Sequence, residues 1–372
     1  MPTGNSILII AGEASGDRHG AALVEQMKKI DSTLSFFGVG GKALSSAGVE
    51  ILEHADRMSV MGFIEVVLHY RFLRRIFQRI LAETDIRRPA RAILIDYPGF
   101  NLKLAKELKE RQIPVTYYIS PQLWAWQEGR ISVIRDCVDQ MICIFPFEEQ
   151  WYKERGVEAQ FIGHPFIDDE AMVLSREEFV EKHGLTTKKQ IIALMPGSRQ
   201  QEVNRHLKVM LKALERLQSN FDVEAIIGKA NGVIISSSLP DRVSVETERP
   251  ECALMYSTAG IVSSGTISLQ AAVYGVPSVV IYKMNPLSWW IAKRVSRVDQ
   301  VSMTNLIAGK KVLPELLQNN ATVDTISTEL SNWLSNEENS VKKRGELEAV
   351  RAKLGSPGAS QRAARFILDR LK

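Results

Sequence analysis

Short apolar segments alternate with segments of helical periodicity along this chain, and this alternation constrains the fold more than any other feature. Ser6–Ala11 is predicted to form a strand, and Ala21–Lys29 a helix after the intervening turn. Further strands are predicted at Leu34–Val39, Arg91–Asp96 and Pro114–Ile119, with a helix at Asn101–Arg111. Strand–helix alternation of this kind predicts a parallel, doubly wound α/β sheet.

The same pattern restarts after the middle of the chain. Gln190–Met195 is predicted to be a strand and Glu202–Gln218 a helix. The alternation continues with a strand at Asp222–Ile227, a strand at Gly260–Ser263, a helix at Thr266–Tyr274 and a strand at Ser278–Tyr282. We therefore expect domains over residues 1–165 and 166–345, and a C-terminal helical segment, 346–372, that packs back on them. Two such domains facing a cleft suit a ligand that bridges both.

The composition excludes several classes of protein. A chain of 372 residues, 45% hydrophobic, can bury two ordinary cores, and its net charge of +4 is too small and too dispersed to indicate nucleic-acid binding. The first apolar run is too short for a signal peptide or a membrane span, so we expect a soluble or peripheral protein. The cysteines lack metal-ligand spacing and no Asp-x-Asp occurs, so neither a metal nor a cofactor is expected.

The first strand is followed by the sequence AGEASGD, residues 11–17. Gly12 and Gly16 permit a tight turn and close approach of a ligand, and the next helix offers free N–H groups to an anion. The segment matches neither a Walker loop nor G-x-G-x-x-G, which counts against a dinucleotide oxidoreductase. An equally weighted alternative is a strand–helix turn in which Ser15 or Asp17 merely caps the helix.

The sequence IDYPGFN, residues 95–101, places Asp96 at the end of another predicted strand. A carboxylate at that edge can take a proton from a sugar hydroxyl as the hydroxyl attacks. Strand-end aspartates also commonly accept hydrogen bonds from the next turn, and that structural alternative remains open.

Two turns in the second half have the features of phosphate sites. Gly197, Ser198 and Arg199 follow a strand and precede a helix, so their amides, hydroxyl and guanidinium can bind a diphosphate. The SSGT sequence that includes Ser264, Gly265 and Thr266 opens another helix, and Gln270 lies one turn further on, within reach of ribose hydroxyls. The structural alternatives are a capped helix start with a solvated arginine and a tight turn under small residues.

Met61–Leu81 has the pattern of an amphipathic, basic helix. Its apolar stripe comprises Ile64, Leu68, Phe72, Ile76 and Ile80, and its flanking basic residues are Arg71, Arg74, Arg75 and Arg79. Such a helix can lie on anionic lipid or offer a groove to acyl chains. A core-facing helix with a solvated basic face is the more common outcome for this pattern. The nearby loop with Trp124 and Trp126 suits sugar stacking or acyl contact, and nearly as well an interdomain core.

Taken in order, these segments closely resemble the lipid-A-disaccharide synthase family. The matching segments are AGEASGD (11–17), FGVGG (37–41), MGFIEV (61–66), IDYPGFN (95–101), SPQLWAWQEGR (120–130), FPFEEQWY (145–152), FIGHP (161–165), LMPGSRQQEV (194–203), SSGTISLQAA (263–272), NLIAGKKVLPELLQ (305–318) and GASQRAA (358–364). The resemblance covers nearly the whole chain and implies the GT-B architecture of two Rossmann-like domains, with the donor nucleotide on the C-terminal one.

The resemblance also implies a reaction and a place of action. The implied donor is UDP-2,3-diacylglucosamine, the implied acceptor is 2,3-diacylglucosamine 1-phosphate, and the product is the β-1,6-linked disaccharide 1-phosphate plus UDP, formed with inversion and without metal. The family acts peripherally at the inner face of the cytoplasmic membrane of Gram-negative bacteria. It implies no nucleic-acid partner, and the chain could act as a monomer or a homodimer.

Residue roles follow from the same resemblance. Asp96 matches the proposed catalytic base, with Glu13 as the less favoured alternative, and Arg199 matches the diphosphate-contacting arginine. The other residues in donor segments are Gly197, Ser198, Ser264, Gly265, Thr266, Gln270, Asn305, Glu315 and Gln318. On the acceptor side of the cleft the candidates are Gly12, Ser15, Asp17, Trp124 and Trp126.

Two departures from the family pattern and two rival functions accompany this interpretation. The family usually has an acidic residue where this chain has Gly99, and a glutamate where it has Gln270. One rival is another GT-B enzyme, a UDP-sugar epimerase or a lipid-linked N-acetylglucosaminyltransferase, which should lack the SPQLWAW and NLIAGKKV segments. The other rival is a catalytically weak lipid-binding relative, supported only by the two departures.

Overall fold

The computed structural model describes residues 5–58, 63–168, 174–186, 188–235, 238–285, 289–290, 294 and 300–371, the side chains of residues 63–70 excepted. The chain divides into two compact units. The first comprises Met1–Asp168 together with Leu354–Lys372, and the second comprises Asp169–Lys353. The sequence predicted these divisions at 165/166 and 345/346.

The first unit is built on one seven-stranded parallel sheet. Its strands are β1 (Ser6–Ala11), β2 (Ser35–Gly40), β3 (Glu50–His54), β4 (Arg91–Ile95), β5 (Val115–Tyr118), β6 (Gln140–Cys143) and β7 (Ala159–Phe161). They are arranged in the order β3-β2-β1-β4-β5-β6-β7. The central strands form continuous apolar runs because helices cover both faces of a parallel sheet.

Helices and short 3₁₀ segments connect these strands. The helices are α1 (Ala14–Ile30), α2 (Lys42–Ser46), α3 (Phe63–Arg87), α4 (Pro98–Glu110), α5 (Ile131–Cys137) and α6 (Pro146–Lys153). The 3₁₀ segments are Ala55–Arg57, Glu128–Arg130 and Pro165–Ile167. In the described part of the chain, no helix is both long and apolar enough to cross a lipid bilayer.

The second unit repeats this plan with a six-stranded parallel sheet. Its strands are β8 (Gln190–Met195), β9 (Val223–Gly228), β10 (Val243–Glu246), β11 (Ala259–Ser263), β12 (Ser278–Tyr282) and β13 (Glu315–Leu317), in the order β10-β9-β8-β11-β12-β13. The helices are α7 (Arg176–Lys182), α8 (Gln200–Gln218), α9 (Pro250–Met255), α10 (Thr266–Val273), α11 (Met303–Ala308), α12 (Val323–Leu334) and α13 (Glu337–Lys353), and Gln318–Asn320 is a 3₁₀ segment.

The last helix, α14 (Ala359–Leu368), belongs to the first unit and packs against α1. The Asp168 carboxylate accepts hydrogen bonds from the first amides of this segment, at 2.6 Å from Gly358 N and 3.3 Å from Ala359 N. At the other end, the buried Arg91 guanidinium donates to the carbonyl of Arg370 at 3.1 Å. Hydrogen bonds at both ends therefore hold this final segment on the first sheet.

Helix α1 begins at Ala14, whereas the sequence predicted a start at Ala21. Gly16 and Gly20 consequently lie inside the helix, where the prediction placed a glycine turn. Packing requires the glycine at position 20, since a Cβ there would lie 2.8 Å from Cδ1 of Ile95, whereas one on Gly16 would make an ordinary contact at 3.5 Å with Cγ2 of the same side chain. Gly20 thus allows the helix to approach β4 closely.

Each sheet has one point at which the chain reverses its direction of travel across the strands. In the first unit the chain moves outward from β1 to β3 and then from β4 to β7 on the other side. In the second unit it moves outward from β8 to β10 and then from β11 to β13. Ligands of open parallel sheets bind beyond the carboxyl ends of the strands at these reversal points, which lie at the β1/β4 and β8/β11 pairs.

Candidate active site

Two of the predicted segments meet at the reversal point of the first sheet. The β1–β4 register pairs Ala11 with Ile95, so the turn at Gly12 and Glu13 lies beside Asp96. Glu13 is the N-cap residue of α1 and is exposed, whereas Asp96 is half-buried. The two candidate bases therefore follow adjacent strands of one sheet.

Gly12 is buried because an aromatic ring occupies the space that a side chain would need. A Cβ on Gly12 would lie 2.4 Å from Cδ1 of Tyr97. The phenol of Tyr97 donates a hydrogen bond to the carbonyl of Met58 at 3.1 Å. Tyr97, the residue after Asp96, thus connects the Gly12 turn with Met58 at the end of the 3₁₀ segment Ala55–Arg57.

The backbone at Asp96 is held in an unusual conformation. Asp96 and Tyr97 have φ values of 44° and 49°, a left-handed conformation that costs a residue with a side chain about 1–3 kcal/mol. The Asp96 carbonyl accepts hydrogen bonds from the Tyr117 phenol at 2.6 Å and from Asn101 Nδ2 at 2.8 Å. Tyr117 and Asn101 are fully buried, so two fixed donors oppose the strain and set the direction of the Asp96 side chain.

The environment of Asp96 suits a base that works near neutral pH. Burial, and next the negative charge of Glu13, raise the pKa of Asp96 to about 6 from its ordinary 3.8, against the effect of the Tyr97 backbone amide. A carboxyl group with this pKa is largely ionised at pH 7 and is more basic than an ordinary aspartate. Both properties favour general-base catalysis.

Asp17 has a structural role in the first unit. It is 7% exposed, and its carboxylate accepts hydrogen bonds from the backbone amides of Gly41 at 2.6 Å, Ala43 at 3.0 Å and Leu44 at 3.1 Å. It therefore caps α2, a helix formed by a distant segment, and its place at the acceptor site stays a prediction. Ser15 is exposed in the first turn of α1.

The two tryptophans predicted at the acceptor side have different environments. Trp124 is buried, and its indole Nε1 donates to Oε1 of Glu148 at 3.0 Å. Glu148 also accepts a hydrogen bond from the Phe145 amide at 3.1 Å, and burial raises its pKa to about 7. Trp124 is thus a buried residue, whereas Trp126 is 49% exposed, and the contacts of both with the acceptor stay predictions.

In the second unit, the Gly197–Arg199 turn lies at the β8/β11 reversal point. Gly197 has a φ of 130°, and a Cβ there would lie 2.7 Å from Cβ of Glu202, so only glycine fits. Ser198 is exposed, and Arg199 is the N-cap residue of α8. The first amides of this 19-residue helix lack partners within the helix and face this end. The Arg199 side chain is 55% exposed and lies 3.6 Å from Oε1 of Glu202, so its guanidinium is available to an anion.

The second predicted turn lies beside the first, because the β8–β11 register pairs Met195 with Val262. Gly265 has a φ of 125°, with no atom within 4 Å of the position of a Cβ, and Thr266 is exposed at the start of α10. Ser264 donates from its hydroxyl to the carbonyl of Val301 at 3.0 Å, and Gln270 is half-buried. The reversal point therefore brings together two helix starts and an arginine.

Asn305 and Glu315, two residues predicted for the donor site, form a hydrogen-bonded pair. The fully buried Asn305 amide donates to the Glu315 carboxylate at 2.8 Å, and its Oδ1 accepts from the amides of Val312 and Leu313, both at 2.8 Å. Glu315 also accepts from the amide of Ser302 at 2.9 Å. These side chains fix the loops around β13 and leave little capacity for a ligand.

Gln318 differs from that pair. Within the described residues, its Oε1 accepts one long hydrogen bond of 3.4 Å, from the Met284 amide. Its Nε2 is buried and has no hydrogen-bond partner in the part of the chain that the structure describes. This amide keeps donor capacity for a bound ligand.

Helix α3 is a core helix from residue 71 onward. Ile76 and Ile80 are buried in the hydrophobic core of the first unit, and Phe72 is half-buried against it. The basic residues Arg71, Arg74, Arg75 and Arg79 are exposed. This part of the helix therefore packs on the core and leaves its basic face to solvent, as the core-facing alternative predicted. Because Phe72 packs against the core, less of its side chain is exposed for the predicted contact with lipid. The side chains of Ile64 and Leu68 lie outside the described residues.

Comparison with known proteins identifies the family. A profile of the lipid-A-disaccharide synthetase family matches residues 7–368. The chain belongs to this family. A lipid-A-disaccharide synthase from Geobacter sulfurreducens is 38% identical over 377 residues, covering 99% of this chain and 98% of the relative. One from Syntrophus aciditrophicus is 40% identical over 374 residues, covering 98% of each. The predicted family is confirmed, and with it the enzyme class, a glycosyltransferase that forms the lipid A disaccharide.

Solved structures confirm the GT-B fold of this synthetase family member. A UDP-GlcNAc 2-epimerase from Neisseria meningitidis, bound to UDP-GlcNAc, has a TM-score of 0.68 at 11% identity and covers 98% of this chain and 100% of its own. The glycosyltransferase of kitacinnamycin has a TM-score of 0.68 at 13% identity and covers 100% of both chains. At these identities the likeness concerns the fold alone.

The residues that hold the loops of the candidate site in place were not identified from the sequence. Tyr117, Asn101 and Tyr97 hold the Asp96 loop, and Glu148 holds the tryptophan loop. A signal was present for Tyr117, since a tyrosine inside a fully buried strand needs a hydrogen-bond partner. Which partner it finds depends on the strand order, which the pattern of residues does not specify.

Proposed function

We propose that the protein transfers the 2,3-diacylglucosamine unit of its UDP-linked donor to the 6-hydroxyl of 2,3-diacylglucosamine 1-phosphate, with inversion and without a metal ion. The observation that carries the proposal is Asp96, a half-buried carboxyl group of raised pKa at the reversal point of the first sheet. Family membership supports the substrate classes. The acceptor would bind on the first unit and the donor on the second.

In this mechanism Asp96 is the general base. Its carboxylate accepts the proton of the acceptor hydroxyl as the hydroxyl oxygen forms a bond to the anomeric carbon of the donor. The bond from that carbon to the diphosphate oxygen breaks in the same displacement, and UDP leaves from the opposite face. One displacement inverts the anomeric configuration. Exposed Glu13 acts through its charge, which helps to raise the pKa of Asp96.

Charge on the departing UDP would be stabilised by groups of the second unit. The Arg199 guanidinium can bind two phosphate oxygens. The first amides of α8 and α10 supply further hydrogen bonds, and the dipole of the longer helix favours an anion at that end. Together these groups supply the positive charge that a metal ion supplies in other enzymes. Thr266, Gln270 and Gln318 are the candidates for contacts to the remaining donor atoms.

The exposed basic face of α3 is the candidate membrane surface. Arg71, Arg74 and Arg75 can bind anionic headgroups, at about 1 kcal/mol for each residue near the surface. Peripheral binding at the inner membrane would bring the enzyme to substrates that carry acyl chains. Flotation with anionic and with neutral vesicles tests this part of the proposal, and sedimentation of the free protein tests for a homodimer.

A turnover assay in the presence of EDTA tests the reaction directly. The donor and the acceptor named above are supplied, and the products are read by mass. We expect a tetraacyl disaccharide phosphate plus UDP from the wild type and none from Asp96→Asn, which should fold and bind UDP normally. Asp168→Asn is the matched control, since this carboxylate caps α14 and its loss should lower stability and leave turnover unchanged below the melting temperature.

Two outcomes of this assay would refute parts of the proposal. Wild-type turnover by Asp96→Asn would remove Asp96 as the base. UDP binding without any product would indicate a different acceptor or a catalytically weak relative, and Gly99 and Gln270 would then be replaced by acidic residues to restore activity.

A further inference from the structure

One buried histidine of the second unit forms hydrogen bonds with two loops, and the proposed mechanism gives this residue no role. His206 lies in the second turn of α8 and is fully buried. Its Nδ1 is 2.7 Å from the carbonyl oxygen of Pro196, and its Nε2 is 2.9 Å from the backbone nitrogen of Lys283. Both ring nitrogens are therefore occupied by backbone groups.

The chemistry of these contacts fixes the form of the ring. A carbonyl oxygen only accepts hydrogen bonds, so Nδ1 must carry the hydrogen. A backbone N–H only donates, so Nε2 must be the free acceptor. The imidazole is therefore neutral and held in one tautomer. Burial lowers the pKa of His206, which agrees with the neutral form.

The two backbone groups belong to loops on either side of the donor region. Pro196 stands between β8 and Gly197, and Lys283 directly follows β12. Strand β11 lies between β8 and β12 in the sheet and leads into the turn of Ser264 and Thr266. One side chain thus connects the two loops that flank this turn.

We propose that His206 is the positioning residue of the diphosphate site, holding the ends of β8 and β12 at a fixed separation so that the turn at Gly197 and Arg199 presents its donors in one geometry. The inference rests on the proposed function for the identity of the ligand. His206 does not touch the diphosphate. It acts through Pro196, whose carbonyl orientation decides the direction in which the following turn leaves the strand. Because the Arg199 side chain is largely exposed, the backbone of this turn determines the position from which its guanidinium extends.

Amide side chains can separate the two hydrogen bonds of His206. In His206→Asn the amide reaches the position of Nδ1 and can still donate to Pro196, whereas the acceptor for Lys283 is lost. In His206→Gln the amide reaches the position of Nε2 and can still accept from Lys283, whereas the bond to Pro196 is lost. His206→Ala loses both. Leu214→Ala is the control, because Leu214 is a fully buried core residue of the same helix, and its truncation destabilises the unit without altering either loop.

The measurement is the affinity of the full chain for UDP by titration calorimetry, together with kcat and the KM values for both substrates. We expect each amide variant to bind UDP about fivefold more weakly, the loss of roughly one hydrogen bond, and His206→Ala about 20-fold or more. The donor KM should rise while the acceptor KM stays constant. Leu214→Ala should bind UDP within about twofold of the wild type despite its lower melting temperature.

The outcomes separate this inference from the function on which it rests. If the wild type binds UDP and all His206 variants that fold bind it equally well, His206 is only structural and the inference is wrong. Losses in the variants no greater than that of Leu214→Ala would contradict the inference as well. If the wild type itself does not bind UDP, the proposed donor site is wrong and the inference falls with it. If His206→Ala does not fold, His206→Asn and His206→Gln still test the inference.

Discussion

The carboxylate of Glu13 should control the pH dependence of catalysis through Asp96. The substitution Glu13→Gln removes a negative charge and keeps the size of the side chain. Because that charge raises the pKa of Asp96, removing it should lower the pKa of Asp96. The acidic limb of the kcat/KM profile, which reports ionisation of the base in the free enzyme, should then move to lower pH.

The size of the effect follows from the two causes of the shift. With a pKa of about 6, Asp96 is about one-tenth ionised at pH 5, so the wild type should retain about one-tenth of its plateau rate. Complete return to the ordinary value would raise the rate at pH 5 about tenfold, which is the upper limit. Burial is the larger cause and remains in the variant, so we expect a gain of roughly two- to threefold at pH 5.

The assay is initial-rate kinetics at substrate concentrations below KM, which gives kcat/KM, from pH 4.5 to 8, with Glu25→Gln as the control. Glu25 is an exposed carboxylate further along α1, and its loss should leave the profile unchanged. A profile for Glu13→Gln that coincides with the wild type would refute the electrostatic coupling. Loss of activity at every pH would instead make Glu13 the base.

Three further predictions concern other residues. Gly12→Ala places a methyl group against the Tyr97 ring and should cost about 1–3 kcal/mol of unfolding free energy; denaturant titration checks it, and wild-type stability would mean that the ring moves aside freely. The pKa of Glu148 is raised to about 7 from 4.5, so the folded state keeps a proton that the unfolded chain releases, and stability should fall as the pH rises from 4.5 to about 7 and then level off, by at most about 3 kcal/mol in total. Glu148→Gln should flatten this dependence between pH 5 and 8 in thermal melts, whereas an unchanged slope would assign it to another group. Arg199→Ala should weaken UDP binding by roughly 10-fold or more, and Arg199→Lys should restore only part of it because an ammonium group lacks the bidentate geometry; equal affinity in calorimetry would move the diphosphate site elsewhere.

The central strands could be predicted from the sequence, whereas the outer strands could not. β1, β8 and β12 begin and end at the predicted residues, because a strand covered on both faces is an uninterrupted apolar run. β3, β6, β7, β10 and β13 were missed. β3, β7, β10 and β13 are edge strands whose residues are mostly only partly buried, whereas β6 is a buried interior strand of only four residues. Their sequences do not differ enough from loops for a pattern to identify them.

The positions of the candidate site residues could be predicted from the sequence, whereas the role of each residue could be predicted less well. Asp96 and Arg199 follow central strands, and the alternation alone places such residues at the ligand edge of a sheet. Asp17 and Asn305 lie in equally suggestive segments, yet their side chains are saturated by backbone groups of α2 and of the loop before β13. Whether a polar side chain meets a ligand or a neighbouring loop depends on contacts between distant segments, which periodicity does not encode.

The discontinuous first unit has a consequence for how the protein is made. The second unit is one continuous stretch, Asp169–Lys353, whereas the first needs the final residues from Leu354 onward. During synthesis the second unit can therefore fold before the unit that carries Asp96 is complete. A premature stop codon at position 354 would leave the second unit whole, deprive α1 of its packing partner α14 and leave the buried Arg91 without the carbonyl of Arg370. We therefore expect late truncations to damage the first unit before the second, although most of the first unit lies at the other end of the chain.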